Sequence, residues 1–165
     1  LFIKNFKELN LKPPPIYIVN ILNTKAVEDI IIKNEIDTVI HCAGLKSISD
    51  SIKFPIKYYE NNVLGTLSII KAMQLTNVKR LIFSSSASVY GNPQYLPIDE
   101  SHPISPISPY GRTKSLIEFM LKDLASSEKD WHIISLRYFN VFGSHSKGIL
   151  NCNYDLESDS LFKNI

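Results

Sequence analysis

Four short apolar runs recur along the chain, and segments with helical periodicity separate them. The runs are residues 16–19, 37–44, 79–85 and 132–136. Helical spacing of apolar residues begins at Thr24, at Pro55 and at Pro109, and these helices are predicted to end near residues 34, 75 and 127. Strands that alternate with helices of this length form βαβ units. The sequence therefore predicts an α/β fold with a parallel sheet and helices on its faces.

The composition is typical of an ordinary globular protein with one hydrophobic core. The 165 residues are 44% hydrophobic and 21% charged, with a formal net charge of +2. Basic residues form no stripe, and no apolar run reaches the about 20 residues that span a bilayer, so we expect neither nucleic acid nor a membrane as partner. Cys42 and Cys152 lack metal-ligand spacing and suit a reducing compartment; Cys42 is predicted to be buried.

Polar or small residues follow each apolar run. In a doubly wound sheet, ligands bind beyond the carboxyl ends of the strands, so these residues are candidates for a binding site. Strand ends also become polar simply because they reach solvent, and any one of them alone is weak evidence. The candidates are Asn20 and Ile21, residues 42–46, residues 84–86 and residues 138–140.

Tyr110 and Lys114 lie one turn apart on the helix that begins at Pro109. Ser108 is predicted to cap this helix, which places Tyr110 in the first turn. A helix N-terminus and a nearby ammonium both favour a phenolate, so Tyr110 is a candidate base. The same spacing also occurs where Tyr and Lys only cover a helix surface. Ser86, at the end of the preceding strand, favours the site because its hydroxyl can bond the same substrate oxygen.

Several stretches of the chain resemble a known family. SSSASVYG followed by SPYGRTK resembles the extended short-chain dehydrogenase/reductase family, whose signature is a Ser or Thr with Tyr-x-x-x-Lys. IDTVIHCAGLK, YYENNVLGT, FSSSASVYG and LRYFN resemble, in order and spacing, the NAD-dependent nucleotide-sugar epimerases within it. The resemblance covers residues 16–148 and implies a Rossmann-like sheet in a cytoplasmic enzyme. The implied reaction interconverts UDP-glucose and UDP-galactose by oxidation and re-reduction at C4.

The resemblance also implies roles for individual residues. Tyr110 is the catalytic base, Lys114 supports it and holds the nicotinamide ribose, and Ser86 bonds the sugar 4-hydroxyl. The substrate, a UDP-sugar, is expected to contact Ser86, Tyr110, Tyr138 and Asn140. The cofactor NAD is expected to contact Asn20, Ile21, Cys42, Ala43, Gly44, Leu45, Lys46, Asn61, Tyr110, Lys114 and Phe139. A homodimer is expected through the helices that begin at Pro55 and Pro109.

Two alternatives to this reaction stay open. Related dehydratases and decarboxylases usually carry an acidic residue at the position of Ser88, and the dehydratases a second one at Ala87. Because elimination of water needs such an acid/base pair, Ala87 and Ser88 favour an epimerase. The other alternative is a non-catalytic, degenerate member of the same fold that serves as a binding module.

Three features depart from the family pattern. Gly44 is the first glycine, so the glycine-rich turn that receives the pyrophosphate is not in this sequence, Asn20 stands where an Asp is expected, and Ser160 stands where an Asn is expected. The chain is thus expected to be a fragment: residues 1–150 a partial NAD-binding domain without its first βαβ unit, and residues 151–165 an irregular tail without the substrate domain. Alone it is expected to bind NAD weakly and be inactive, and residues 16–19 lack a neighbouring strand.

Overall fold

A computed structural model describes residue 6 and residues 11–141 of the chain. The chain divides into two compact units, one formed by Val19–Phe139 and the other by Leu1–Ile18 with Asn140–Ile165. In the latter unit, described residues 11–18, 140 and 141 belong to no helix or strand. The predicted tail at residues 151–165, with Cys152 and Ser160, lies outside the described residues.

Three parallel strands form the sheet within the described part of the chain. They are β1, Thr38–His41, β2, Arg80–Ser86, and β3, His132–Tyr138, in the order β1-β2-β3. The prediction of an α/β fold with these three parallel strands is confirmed. β3 continues two residues beyond its predicted end, so Tyr138 is the last residue of the strand rather than part of a following loop.

The prediction of a strand at residues 16–19 is wrong. These residues have no regular secondary structure, and Ile16, Ile18 and Val19 are exposed. A strand exists through hydrogen bonds to a neighbour, and none of the three described strands pairs with this run. The β-branched composition that predicted a strand therefore has no partner strand among the described residues.

Two helices lie on either side of β1 in the sequence. Helix α1, Thr24–Lys33, was predicted, and its cap is Asn23, whose side-chain oxygen accepts the backbone N–H of Ala26 at 3.1 Å. Helix α2, Ile48–Lys53, was not predicted, since six residues are too few to show a period.

The long helix predicted from Pro55 to Leu75 is present, but a wider π-helical turn interrupts it. Helix α3, Pro55–Tyr58, leads into the π-helical segment Tyr59–Leu64, which is followed by helix α4, Gly65–Leu75. Such π-helical turns are rare and occur often at functional sites. This one carries Asn61 and Asn62.

The hydrophobic core lies on one face of the sheet, beneath α4 and α5, Pro109–Ser127. β2 contributes Leu81 and Phe83 to this face, and both are almost fully buried. On the opposite face Ile40 and Ile134 are 66% and 56% exposed. Residues of the core cluster include Ile31, Ile69, Met73, Leu81, Phe83, Ile117, Leu121 and Trp131. None of the described helices combines the length and the hydropathy needed to cross a membrane.

Candidate active site

Tyr110 lies in the first turn of α5, as the sequence predicts. Ser108 caps this helix in an extended conformation, and its hydroxyl accepts the backbone N–H of Gly111 at 3.0 Å. Pro109 follows as the first helical residue, where its missing N–H costs nothing. The Tyr110 side chain is half-buried at the helix N-terminus, a position at which the backbone dipole favours negative charge.

Lys114 extends from the next turn of α5 to the end of β2. Its Nζ donates to the carbonyl oxygen of Ser84 at 2.7 Å and lies 5.9 Å from the centre of the Tyr110 ring. The side chain is 6% exposed and also lies over the Phe83 ring. Burial lowers the pKa of the Lys114 ammonium from 10.5 to about 8. The structure thus brings a buried cation beside the predicted base.

Ser86 ends β2 and begins the 3₁₀ turn Ala87–Val89. Its Oγ accepts the backbone N–H of Ser88 at 3.2 Å and donates to Ser88 Oγ at the same distance. Ser86 is paired in register with Tyr138 on β3, so the two predicted substrate residues stand side by side on one face of the sheet. That Ser86 shares a hydrogen bond to one substrate oxygen with Tyr110 stays a prediction.

Gly111 allows the N-terminus of α5 to touch the turn after β2. A Cβ at Gly111 would lie 2.6 Å from the carbonyl oxygen of Ser88 and 3.1 Å from Cβ of Pro106. The approach is therefore closer than any side chain permits. It places the turn of α5 that carries Tyr110 against the residues that immediately follow Ser86.

We expect Gly111→Ala to destabilise the protein by about 1–3 kcal/mol, because an overpacked backbone contact must move. The change would otherwise favour the helix, so a loss of stability reports the contact with Ser88. Urea unfolding of the variant and the wild type measures the difference. The matched control is Arg112→Ala at the next, exposed position of the same helix; equal stabilities of the two variants would contradict the close approach.

The loop after β1 reaches the same region from the other side. A Cβ at Gly44 would lie 3.8 Å from Lys114 Nζ, so the loop backbone passes close to the Lys114 ammonium. Cys42, Ala43 and Gly44 are exposed, which corrects the prediction that Cys42 is buried: β1 ends at His41, and Cys42 lies beyond it on the rim of the sheet.

Asn62 fixes this loop in place. Its side-chain oxygen accepts the backbone N–H of Leu45 at 2.8 Å, and its amide donates to the carbonyl oxygen of Leu45 at 3.0 Å. The neighbouring Asn61, predicted to contact the cofactor, donates to the Asn62 side chain at 3.1 Å. The sequence analysis did not predict that Asn62 holds this loop. The one sequence feature that could have suggested it is the position of Asn62 next to Asn61. Lys46, which is also predicted to contact the cofactor, follows Leu45 and is exposed.

His41 lies buried beneath the loop and is neutral. Burial, and secondarily the charge of Lys114, lowers the pKa of His41 from 6.5 to about 4. Its Nε2 is 2.9 Å from the hydroxyl of Thr66, which donates its own proton to the Asn62 carbonyl oxygen at 2.6 Å. We therefore assign the His41 proton to Nε2, since the Thr66 oxygen can only accept.

The remaining predicted residues are placed as follows. Ile21 packs against α4, where a Cβ on Gly65 would lie 2.5 Å from Ile21 Cδ1, and Asn20 is exposed with its side chain bonded to the backbone N–H of Leu22. Phe139 is 60% exposed and stacks on Tyr90 with ring centres 6.4 Å apart. Asn140 is exposed and belongs to the other unit, so its contact with substrate stays a prediction.

A cleft of about 490 Å³ opens along β3, and neither Tyr110 nor Lys114 lines it. Its lining combines two carboxylates with the Arg137 guanidinium and includes Tyr138 and Phe139, two of the predicted site residues. The cleft is lined by Tyr90, Ile98, Asp99, Glu100 and residues 135–139. No group of three His, Cys, Asp or Glu side chains in the described chain could hold a metal ion.

Residues 3–157 match the NAD dependent epimerase/dehydratase family. The chain belongs to this family. Among curated relatives, the UDP-glucose 4-epimerase of Dictyostelium discoideum is 45% identical over 148 residues, which are 90% of this chain and 43% of that protein. The UDP-glucose 4-epimerase of Bacillus subtilis is 44% identical over 86% of this chain and 42% of its own length. The chain thus spans less than half the length of these relatives.

Solved structures of epimerases in this family share the fold. The UDP-glucose 4-epimerase of Bifidobacterium longum, in complex with NAD+ and UDP, aligns with a TM-score of 0.86 and 41% identity over 90% of this chain and 45% of that chain. The enzyme of Stenotrophomonas maltophila, with bound NAD and formylated UDP-arabinopyranose, aligns with a TM-score of 0.85 and 36% identity over 89% of this chain and 44% of its own. The described sheet and helices are therefore those of a Rossmann-like epimerase domain.

Proposed function

We propose that the protein is a UDP-glucose 4-epimerase, which interconverts UDP-glucose and UDP-galactose with NAD. The observation that carries this proposal is Lys114, a buried ammonium bonded to the Ser84 carbonyl at 2.7 Å and placed one helical turn from Tyr110. A buried cation beside a phenol, at the end of a parallel strand, suits removal of a proton from an alcohol. The relatives named above, which carry this activity by name, support the proposal.

The described residues fit the nicotinamide end of NAD. The loop after β1 exposes the small residues Cys42, Ala43 and Gly44, and a Cβ at Gly44 would lie in van der Waals contact with Lys114 Nζ, at 3.8 Å. Residues 42–46, Asn61, Lys114 and Phe139 would hold the cofactor there. When bound, NAD supplies the hydride acceptor and donor for C4 of the sugar.

The protein's own residues handle the proton. The 4-hydroxyl of the sugar gives its proton to the Tyr110 oxygen while Ser86 Oγ bonds the same sugar oxygen, and Tyr110 returns the proton when C4 is reduced again. The Lys114 ammonium stabilises the Tyr110 phenolate by charge. Tyr138, paired with Ser86 across β2 and β3, would face the sugar.

The turn after β2 favours epimerisation over loss of water. Ala87 and Ser88 occupy this turn, and Ser88 Oγ accepts a hydrogen bond from Ser86 Oγ at 3.2 Å. Neither side chain offers a carboxyl group to protonate a leaving hydroxyl. A free, exposed Cys42 thiol fits the reducing cytoplasm, which we propose as the site of the reaction.

The test is the conversion of UDP-galactose by the protein expressed from its complete gene. UDP-glucose formed is measured by its oxidation in a coupled dehydrogenase assay, and the reverse reaction is followed by separation of the two sugars. We expect conversion in both directions without loss of mass. A product lighter by one water would assign a dehydratase instead, and no conversion would overturn the proposal.

We also propose that a second copy of the chain covers the outer surface of α2, α3 and α5. Large apolar side chains are exposed there: Ile52, Ile56, Leu116 and Phe119. Apolar surface of this kind marks an interaction site, and a two-fold dimer is the commonest assembly that buries one.

Sedimentation equilibrium tests the dimer. We expect the wild type to sediment as a dimer and Phe119→Glu as a monomer, because a carboxylate would be buried at the interface without a partner. Leu75→Glu, at an exposed apolar position at the end of α4, is the matched control and should remain dimeric. A wild type that sediments as a monomer would contradict the proposal.

A further inference from the structure

Glu118 on α5 and Arg137 on β3 form a largely buried ion pair. Arg137 Nη2 donates to Glu118 Oε2 at 2.7 Å, and Arg137 Nε lies 3.1 Å from both carboxylate oxygens. The two side chains are 20% and 9% exposed. Pairs of this kind have well-defined geometry, because the planar guanidinium fits the carboxylate in one orientation.

The pair connects three elements that carry proposed site residues: α5 through Glu118, β3 through Arg137, and β2 through Ser85. Glu118 follows Tyr110 and Lys114 at the same four-residue spacing, so all three lie on one face of α5. Its carboxylate accepts a hydrogen bond from the Ser85 hydroxyl at 2.5 Å. Ser85 lies between Ser84, whose carbonyl oxygen binds Lys114, and Ser86.

Arg137 extends the network to the turn after β2. Its Nη1 donates to the Tyr90 hydroxyl at 3.0 Å, and its guanidinium lies 4.9 Å from the centre of the Tyr90 ring. Tyr90 in turn stacks on Phe139, a residue we place at the cofactor. The network therefore contacts Ser85, which lies between Ser84 and Ser86, and Tyr90, which stacks on Phe139. In the proposed mechanism none of its side chains contacts a reacting atom.

We propose that Glu118 and Arg137 are positioning residues, which hold the end of β2 against α5 so that Ser84 meets Lys114 and Ser86 stays beside Tyr110. The catalytic part of this inference rests on the function proposed above. Arg137 also binds the Glu118 carboxylate one turn after Lys114, so this carboxylate does not compete with Ser84 for the ammonium. The titratable groups that face Lys114 are His41 and Cys42 from β1 and its loop, and Tyr110 from its own helix.

Glu118→Gln, Arg137→Met and Ser85→Ala test the role in the protein expressed from its complete gene. We expect kcat for UDP-galactose to fall by about 10–100-fold with KM changed by less than about 3-fold, since a displacement of about 1 Å at a reacting group costs up to about 100-fold in rate. Arg137→Lys should have a higher kcat than Arg137→Met, because lysine keeps the positive charge beside Glu118. It should stay below the wild type, because lysine cannot bind both carboxylate oxygens as the planar guanidinium does. Lys79→Met, which breaks an exposed ion pair with Glu128 at the other end of β2, is the control and should leave kcat unchanged.

A second measurement does not need activity. The pH dependence of Lys114 acetylation, followed by mass spectrometry of its peptide, reports the titration of this amine. In the wild type the midpoint should lie near 8. In Arg137→Met and Glu118→Gln it should move toward 10.5, because a loosened strand end admits water to the ammonium.

The outcomes separate the two proposals. If the wild type lacks epimerase activity but the variants shift the Lys114 midpoint, the positioning role holds and the proposed function fails. Variants that unfold at lower temperature but keep both the wild-type kcat and the wild-type midpoint would overturn the positioning role. Ser85→Ala removes one hydroxyl and leaves the ion pair intact, so it keeps the test decisive if the charge variants do not fold.

Discussion

Replacing Tyr110 by Phe is expected to slow the interconversion of UDP-glucose and UDP-galactose by about 100- to 10,000-fold, the usual contribution of a positioned general base. The variant loses the oxygen that we propose as acceptor of the C4 hydroxyl proton but keeps the ring, whose centre lies 5.9 Å from Lys114 Nζ. The loss should appear in kcat, with KM for the UDP-sugar nearly unchanged, because the sugar and nucleotide contacts remain. Steady-state rates from the coupled assay measure both quantities.

Tyr95→Phe is the matched control for this substitution. Tyr95 lies in the surface loop before α5, where its hydroxyl bonds the Asp99 carboxylate at 2.9 Å. The same chemical change at Tyr95 should leave kcat within about 2-fold of the wild type, since it removes only exposed hydrogen bonds to Asp99 and Ser101. If Tyr110→Phe retained a comparable rate, the proton would have another acceptor and the proposed role of Tyr110 would be wrong.

The strands and helices of the central part of the chain were predictable because their signals are local. Ser108, Pro109 and the apolar period fixed α5 to its observed bounds, and the apolar run before Ser84 fixed β2. The run at residues 16–19 carries an equally strong local signal and forms no strand. Strand formation depends on a partner, and a partner is a long-range property that one segment does not reveal.

In the candidate site, too, features set by local sequence were predictable and features set by contacts between distant segments were not. The spacing of Tyr110 and Lys114 determines that they share a helix face, and the sequence showed this directly. Asn62 and the Glu118–Arg137 pair were missed because each acts through a contact between distant segments. The π-helical turn that carries Asn62 also has no sequence signature that distinguishes it from the surrounding α-helix. The shared helix face of the two proposed reacting groups was therefore predictable, and the contacts that hold them were not.

Replacing Lys114 by Met is expected to lower the activity and raise the stability of the same protein. The ammonium that we propose as the partner of Tyr110 in proton transfer is lost, so kcat should fall by about 100- to 10,000-fold. The pKa of Lys114 is lowered from 10.5 to about 8 by burial, which corresponds to a cost of about 3 kcal/mol for keeping the charge in the folded protein at neutral pH. The variant removes this cost but also the hydrogen bond from Lys114 Nζ to the Ser84 carbonyl oxygen, which is worth about 1 kcal/mol.

The net gain in the free energy of unfolding should be about 2 kcal/mol at pH 7, and its pH dependence identifies the cause. Between pH 8 and 10.5 the unfolded chain keeps the Lys114 proton and the folded protein releases it, so wild-type stability rises with pH across this window. Lys114→Met should lack that rise, whereas Lys122→Met, an exposed position on the same helix, should keep it. Urea unfolding at pH 7, 8, 9 and 10 measures all three proteins. A Lys114→Met variant that is less stable than the wild type at pH 7 would show that the ammonium supports the fold, and the conflict between stability and catalysis at this residue would not exist.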